Sequence, residues 1–178
     1  MTDLSQYDIP HSLLNHDEPL VIVVNVHLHL EAFLIALIRA KLPRPDALDI
    51  DRLNFPSKLG LAVALDLVPE VAAPALRTIN ELRNKIAHNL NSVLREEDAE
   101  KLRKQLFFTA SAAEMPKWSV MGAPQQVALC AMVLQAWMNG VVEGKALAKS
   151  NPARDMPSLM SRAIERYPDR VEKSAPNA

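Results

Sequence analysis

Glycine is scarce, at four residues in 178, and aromatic side chains make up only 4% of the chain. Sheet proteins lean on both, for tight turns and for pleated packing, so their scarcity excludes a sandwich or barrel. Leu and Ala are abundant instead, with 49% of residues apolar, which is the composition of an all-α helical bundle. A single cysteine, Cys130, rules out an intramolecular disulfide, and its apolar helical surroundings predict a small buried hydrophobe. The net charge of -1 carries no excess of positive charge of the kind that holds DNA or RNA over a broad surface, which leaves a local basic patch as the route to nucleic acid. Walker loops, dinucleotide glycine motifs, Gly-x-Ser-x-Gly elbows and zinc spacings are all missing, so no cofactor and no metal is expected. The first residues lack a basic start followed by an apolar run and a cleavage site, which predicts a cytoplasmic protein with no membrane association.

What is present reads as one domain. Residues 1–17 are polar and irregular and are expected to form an N-terminal arm; residues 18–167 form a single helical domain of about five main helices with up-and-down connections; residues 168–178 have the composition of a flexible tail. Asp17 is placed as the N-cap of a first helix reaching about residue 42, where Pro43 and Pro45 stop it. A shorter helix follows over 57–68 and ends at Pro69; Gly60 inside it suggests the close approach of another helix, or a tolerated weakness. Pro74 opens a helix over 75–90. A charged helix spans 96–108, with Glu97 and Lys101 spaced to pair across one turn and Lys101, Arg103 and Lys104 forming the densest basic cluster, which is what a solvated helix face carries. After a loop around Trp118 comes a long helix over 125–149, then a short one over 155–167.

Two features carry chemistry. His27, His29 and Glu31 interrupt the apolar first helix, where their polarity argues against a bilayer span and for a buried central helix. On a strand all three would share a face as metal ligands; on a helix only His27 and Glu31 do, which favours histidines hydrogen-bonded in a core or dimer interface, with Glu31 paired to one of them or to an arginine. The second feature is the helix over 75–90. Leu76, Ile79, Leu82, Ile86 and Leu90 recur at three- and four-residue spacing as a buried stripe, while Asn80, Asn84 and His88 stack one turn apart on another side. Arg83 lies about 140° around the axis from His88, so the two flank a site. Polar residues in this pattern are equally what an exposed helix face shows.

Arg83-Asn84 followed by Ala87-His88 reproduces the R-x4-H pattern, and with the helix that begins at Asn54-Phe-Pro-Ser-Lys the stretch 53–91 resembles the HEPN superfamily, most closely its mannitol operon repressor branch. The resemblance implies an all-helical fold, a homodimer, and Arg83, Asn84 and His88 as catalytic residues. It also implies two alternative functions: a metal-independent endoribonuclease of the toxin type, working on RNA and held by an antitoxin partner, or a non-catalytic regulator of transcription acting through a regulatory protein partner. Near-neutral charge and the lack of a helix-turn-helix with a basic second helix disfavour direct DNA binding. Independently, the apolar circumference of the helices over 18–42 and 125–149 exceeds what one small bundle covers, which also predicts a homodimer.

Overall fold

The computed structural model describes residues 4–88, 92–106 and 121–142, and among them the chain is all-α, with five α-helices and no strand. These are α1 (Pro19–Lys41), α2 (Phe55–Ala64), α3 (Ala73–His88), α4 (Glu96–Leu106) and α5 (Ala123–Val142); 3-10 turns precede α1 (His11–Asn15), lie between α1 and α2 (Pro45–Ala47 and Ile50–Arg52) and lead from α2 into α3 (Glu70–Ala72). The expected loop around Trp118, the continuations to residues 108 and 149, the helix over 155–167 and the tail over 168–178 lie outside the described residues.

α1 is the axis of the bundle. It packs against α2, α3 and α5, while α4 bridges α3 and α5. Ile22, Val23, Val26, Leu30, Phe33, Leu34, Leu37 and Ile38 are all buried, so α1 is apolar on nearly every side because it has neighbours on nearly every side. Among the described residues it is the one helix long and apolar enough to cross a bilayer, yet more than half of its most apolar window lies inside the protein. The cap predicted at Asp17 falls one residue later: Glu18 is the N-cap, without a side-chain cap bond, and Pro19 takes the first turn, where its missing N–H costs nothing.

α2 is shorter than the 57–68 expected. Asn54 caps it by accepting a bond from the Ser57 N–H at 2.9 Å, and it closes not at Pro69 but at Ala64. There Asp66 adopts φ 56, and the Leu67 N–H donates back to the Ala62 carbonyl at 2.9 Å, a Schellman closure that turns Leu67 and Val68 into the core. Gly60 is exposed, with no atom within 4 Å of where a Cβ would stand, so it marks no close approach of helices.

Residues 4–17 are more than a polar arm. Ile9, Leu13 and Leu14 are buried in the same core as α1, and α5 captures the backbone around them. Gln135 accepts from the Ile9 N–H at 2.9 Å and donates to the Tyr7 carbonyl at 2.8 Å, while Gln125 donates to the His16 carbonyl at 2.6 Å. Only two side-chain amides on a buried helix are needed, because each satisfies backbone groups that the core would otherwise strand. This same packing covers the middle of α5: from Val127 to Gln135 every residue is buried within one chain. On α1, Leu20 and Leu28 stay exposed, and the expected continuation of α5 to residue 149 lies outside the described residues.

Two leucines two residues apart on α1 give a direct test of this arrangement. Leu30→Ala, at a fully buried position, should lower unfolding free energy by about 2–5 kcal/mol in urea denaturation. Leu28→Ala, at a position 54% exposed, should change it by less than about 0.5 kcal/mol.

Candidate functional site

The helix α3 buries Leu76, Ile79, Leu82 and Ile86 against the bundle, as its spacing predicts, and leaves Arg77, Asn84, Lys85 and His88 exposed, with Asn80 and Arg83 half-buried between the two faces. Leu90, the expected end of the stripe, lies outside the described residues. His88 is the last residue of α3. That end is held from two directions: the Ser92 hydroxyl donates to the Lys85 carbonyl at 3.1 Å, and Lys85 Nζ donates to Asp98 Oδ2 at 2.8 Å. Asp98 also accepts from the Arg95 N–H at 3.0 Å, closing the start of α4. Burial of Asp98 pushes its carboxyl up, but the bonds from Lys85 and the Arg95 backbone outweigh that, and it sits below the usual carboxylate range.

The expected stack of Asn80, Asn84 and His88 is divided among three environments. Arg83 Nη1 donates to Asn84 Oδ1 at 3.0 Å, so Asn84 is turned toward the guanidinium and not toward the imidazole. His88 makes no hydrogen bond or ion pair with the described residues. Asn80 points inward. Its Oδ1 lies 3.0 Å from His27 Nε2, joining the motif helix to the middle of α1.

Around His27 the polar residues of three helices converge. His27 is 4% exposed, and its ring lies 4.6 Å from that of Phe55, centroid to centroid. Its Nδ1 is 3.8 Å from Glu31 Oε2, one turn on, and the other carboxylate oxygen of Glu31 accepts from Lys58 Nζ at 2.6 Å. Lys58 is 3% exposed and also donates to the Asp51 carbonyl at 3.2 Å. The imidazole's affinity for a proton is lowered, first by burial; the bond to Asn80 and the charge of Glu31 oppose this, and the charges of Arg83 and Lys58 reinforce it. His29, by contrast, turns toward the arm, with Nδ1 3.2 Å from the Tyr7 carbonyl. The three-ligand face required a strand, and α1 is a helix, so His29 is separated from His27 and Glu31; no group of three or more His, Cys, Asp or Glu among the described residues is placed to hold a metal ion. Lys58 is the member of this cluster that the sequence reading passed over. Its sign was legible: Phe55, Lys58, Leu59 and Ala62 form the buried stripe of α2, and a lysine inside such a stripe requires a counter-charge.

The cations of α4 are already engaged. Lys101 pairs with Glu81 at 2.9 Å, not with Glu97; Arg103 pairs with Glu96 at 2.9 Å and Lys104 with Glu100 at 2.8 Å. The basic cluster is thus a charge-balanced helix face. Arg83 rests on the Asn84 amide instead, and no carboxylate among the described residues pairs with it or with Arg77 on the same helix. Cys130 is fully buried, and burial pushes its thiol up, as suits an inert core residue. Comparison with protein-family models, curated proteins and solved structures yields no match, so the likeness to HEPN proteins stands on residues 53–91 by themselves.

Two outcomes follow from the inner cluster. Glu31→Gln leaves the ammonium of Lys58 buried without a counter-charge and should cost about 3 kcal/mol of stability in urea denaturation at neutral pH. His27 has a folded pKa below its ordinary value of 6.5, so the unfolded chain takes up the proton more readily. Stability from this group is therefore fully present above pH 6.5 and declines as the pH falls below it, and unfolding curves of His27→Gln should show a shallower loss on acidification than the wild type.

Proposed function

We propose that this protein is a HEPN-like, metal-independent endoribonuclease whose site is assembled from Arg83, Asn84 and His88 of two copies of the chain. The observation that supports this reading is the contrast between Arg83 on one side and Lys85 and the cations of α4 on the other. Lys85, Lys101, Arg103 and Lys104 each rest on a carboxylate, whereas Arg83 rests on the neutral amide of Asn84 and remains half-exposed. A guanidinium held by an amide keeps its charge and most of its donor fork for a phosphate.

Internal cleavage of RNA by its own 2′-hydroxyl requires a base for that hydroxyl, an acid for the leaving oxygen, and positive charge beside the phosphorane-like transition state. One chain supplies one exposed motif histidine, since His27 is enclosed in the core. A two-fold axis beside α3 would supply the second, one His88 acting as base and the other as acid, while Arg83 and Asn84 grip the phosphate. The homodimer is thus proposed from the needs of the chemistry. A toxin of this type would be restrained by an antitoxin in the cytoplasm. The alternative function, a regulator like the mannitol operon repressor working through protein contacts, has no need of an exposed histidine or an uncommitted arginine.

Incubation with a labelled single-stranded RNA and excess EDTA tests the reading. The wild type should cleave, and His88→Ala and Arg83→Ala should each lose about 100-fold or more in rate while keeping wild-type circular dichroism. Cleavage that persists in His88→Ala or stops with the chelator refutes the mechanism, and an inactive wild type transfers the case to the regulator.

A further inference from the structure

We propose that His27 Nδ1 is a proton site linked to the phosphate site at Arg83 and Asn84, so that a bound phosphodiester and a proton on His27 stabilise one another and the protein holds RNA more tightly as the pH falls. This rests on the reading of Arg83 and Asn84 as phosphate contacts.

The geometry that carries it begins with the placement of the proton. Nε2–H donates to Asn80 Oδ1 at 3.0 Å, which leaves Nδ1 of the neutral ring bare. That nitrogen lies 3.8 Å from Glu31 Oε2, so an arriving proton enters between an imidazole and a carboxylate, and the Asn80 bond is retained in the charged form. The surroundings decide how readily it enters. From α1 comes Glu31; from α2, the ammonium of Lys58 on the far oxygen of the same carboxylate, and the uncharged ring of Phe55; from α3, Arg83, three residues beyond Asn80 on the next turn. α5 carries no charged residue in Ala123–Val142. Two cations thus oppose the proton and one anion favours it. Lys58 is sealed in the core, while Arg83 is half-exposed and open to ligands. A phosphate paired with Arg83 cancels one of the two opposing charges through the low-polarity space between the helices, where charges are weakly screened. Proton affinity at His27 then rises, and by reciprocity of linkage a protonated His27 raises affinity for the phosphate by the same factor.

The test uses the full-length protein, isotopically labelled, with His88→Ala to silence the motif histidine, and a 2′-O-methyl single-stranded oligonucleotide that cannot be cleaved. The ring signals of His27, assigned by their loss in His27→Gln, are followed by NMR against pH. Saturation with oligonucleotide should move the titration midpoint upward, and Arg83→Gln without ligand should move it the same way. Oligonucleotide affinity, read by fluorescence anisotropy, should rise about fivefold between about pH 8 and about pH 5.5, and this rise should vanish when His27→Gln is added. A midpoint that stays put with oligonucleotide bound overturns the linkage and leaves the phosphate site standing; so does a midpoint unmoved by Arg83→Gln. An oligonucleotide that binds at no pH overturns the phosphate site and the linkage together.

Discussion

A buried ammonium on a half-buried carboxylate sets the level at which three helices meet. α1 is covered by α2, α3 and α5, so the polar groups in its middle cannot be left to water. Glu31 is satisfied by Lys58 of α2, and His27 by Asn80 of α3. An unpaired charge in such a place costs several kcal/mol, and a stranded polar group costs about 1–3 kcal/mol. Sliding α2 by one turn would incur the first penalty, and sliding α3 the second. Apolar contacts give the bundle its stability but tolerate such sliding far better, since one leucine packs much like another. These polar contacts therefore fix register, and with it the position of everything else on α3.

The outer face of α3 inherits that register. With Asn80 committed inward, the next turn carries Arg83 half out of the core, and Asn84 beside it completes a small uncharged cradle for the guanidinium. The end of the helix is fixed separately, through Lys85, Asp98 and Ser92, and this holds His88 at the margin of the bundle. Arg83 and His88 are thus positioned by different supports, one from the core and one from α4. This matters for chemistry that needs a phosphate ligand and a proton-transfer group at a set separation, because each can be held without constraining the other.

Net charge would be a poor guide to the proposed site. The chain is nearly neutral as a whole, and its most basic stretch, on α4, is cancelled by Glu81, Glu96 and Glu100. A single guanidinium beside an amide gives less long-range attraction than a basic groove, so nucleic acid would be held by local geometry with weak electrostatic steering. Two copies of the proposed site would bring two guanidinium groups together.

Periodicity and composition by themselves determined that the chain is helical, that α1 is central and that Leu76, Ile79, Leu82 and Ile86 face inward, because burial of apolar side chains has a fixed period on a helix and leaves its trace in the residue order. The spacing of His27 and Glu31 likewise showed that they share one face of α1. Partners far apart in the chain left no such trace. Asn80 reaches His27 across 53 residues, Lys58 reaches Glu31 across 27, and Gln135 holds the Ile9 backbone across 126. Only the tertiary structure decided these, and with them that Ile9, Leu13 and Leu14 join the core, that Val127 to Gln135 of α5 are covered by their own chain, and that Arg83 rests on an amide where Lys85 and the cations of α4 rest on carboxylates. Local order records which face is buried; it does not record what lies against it.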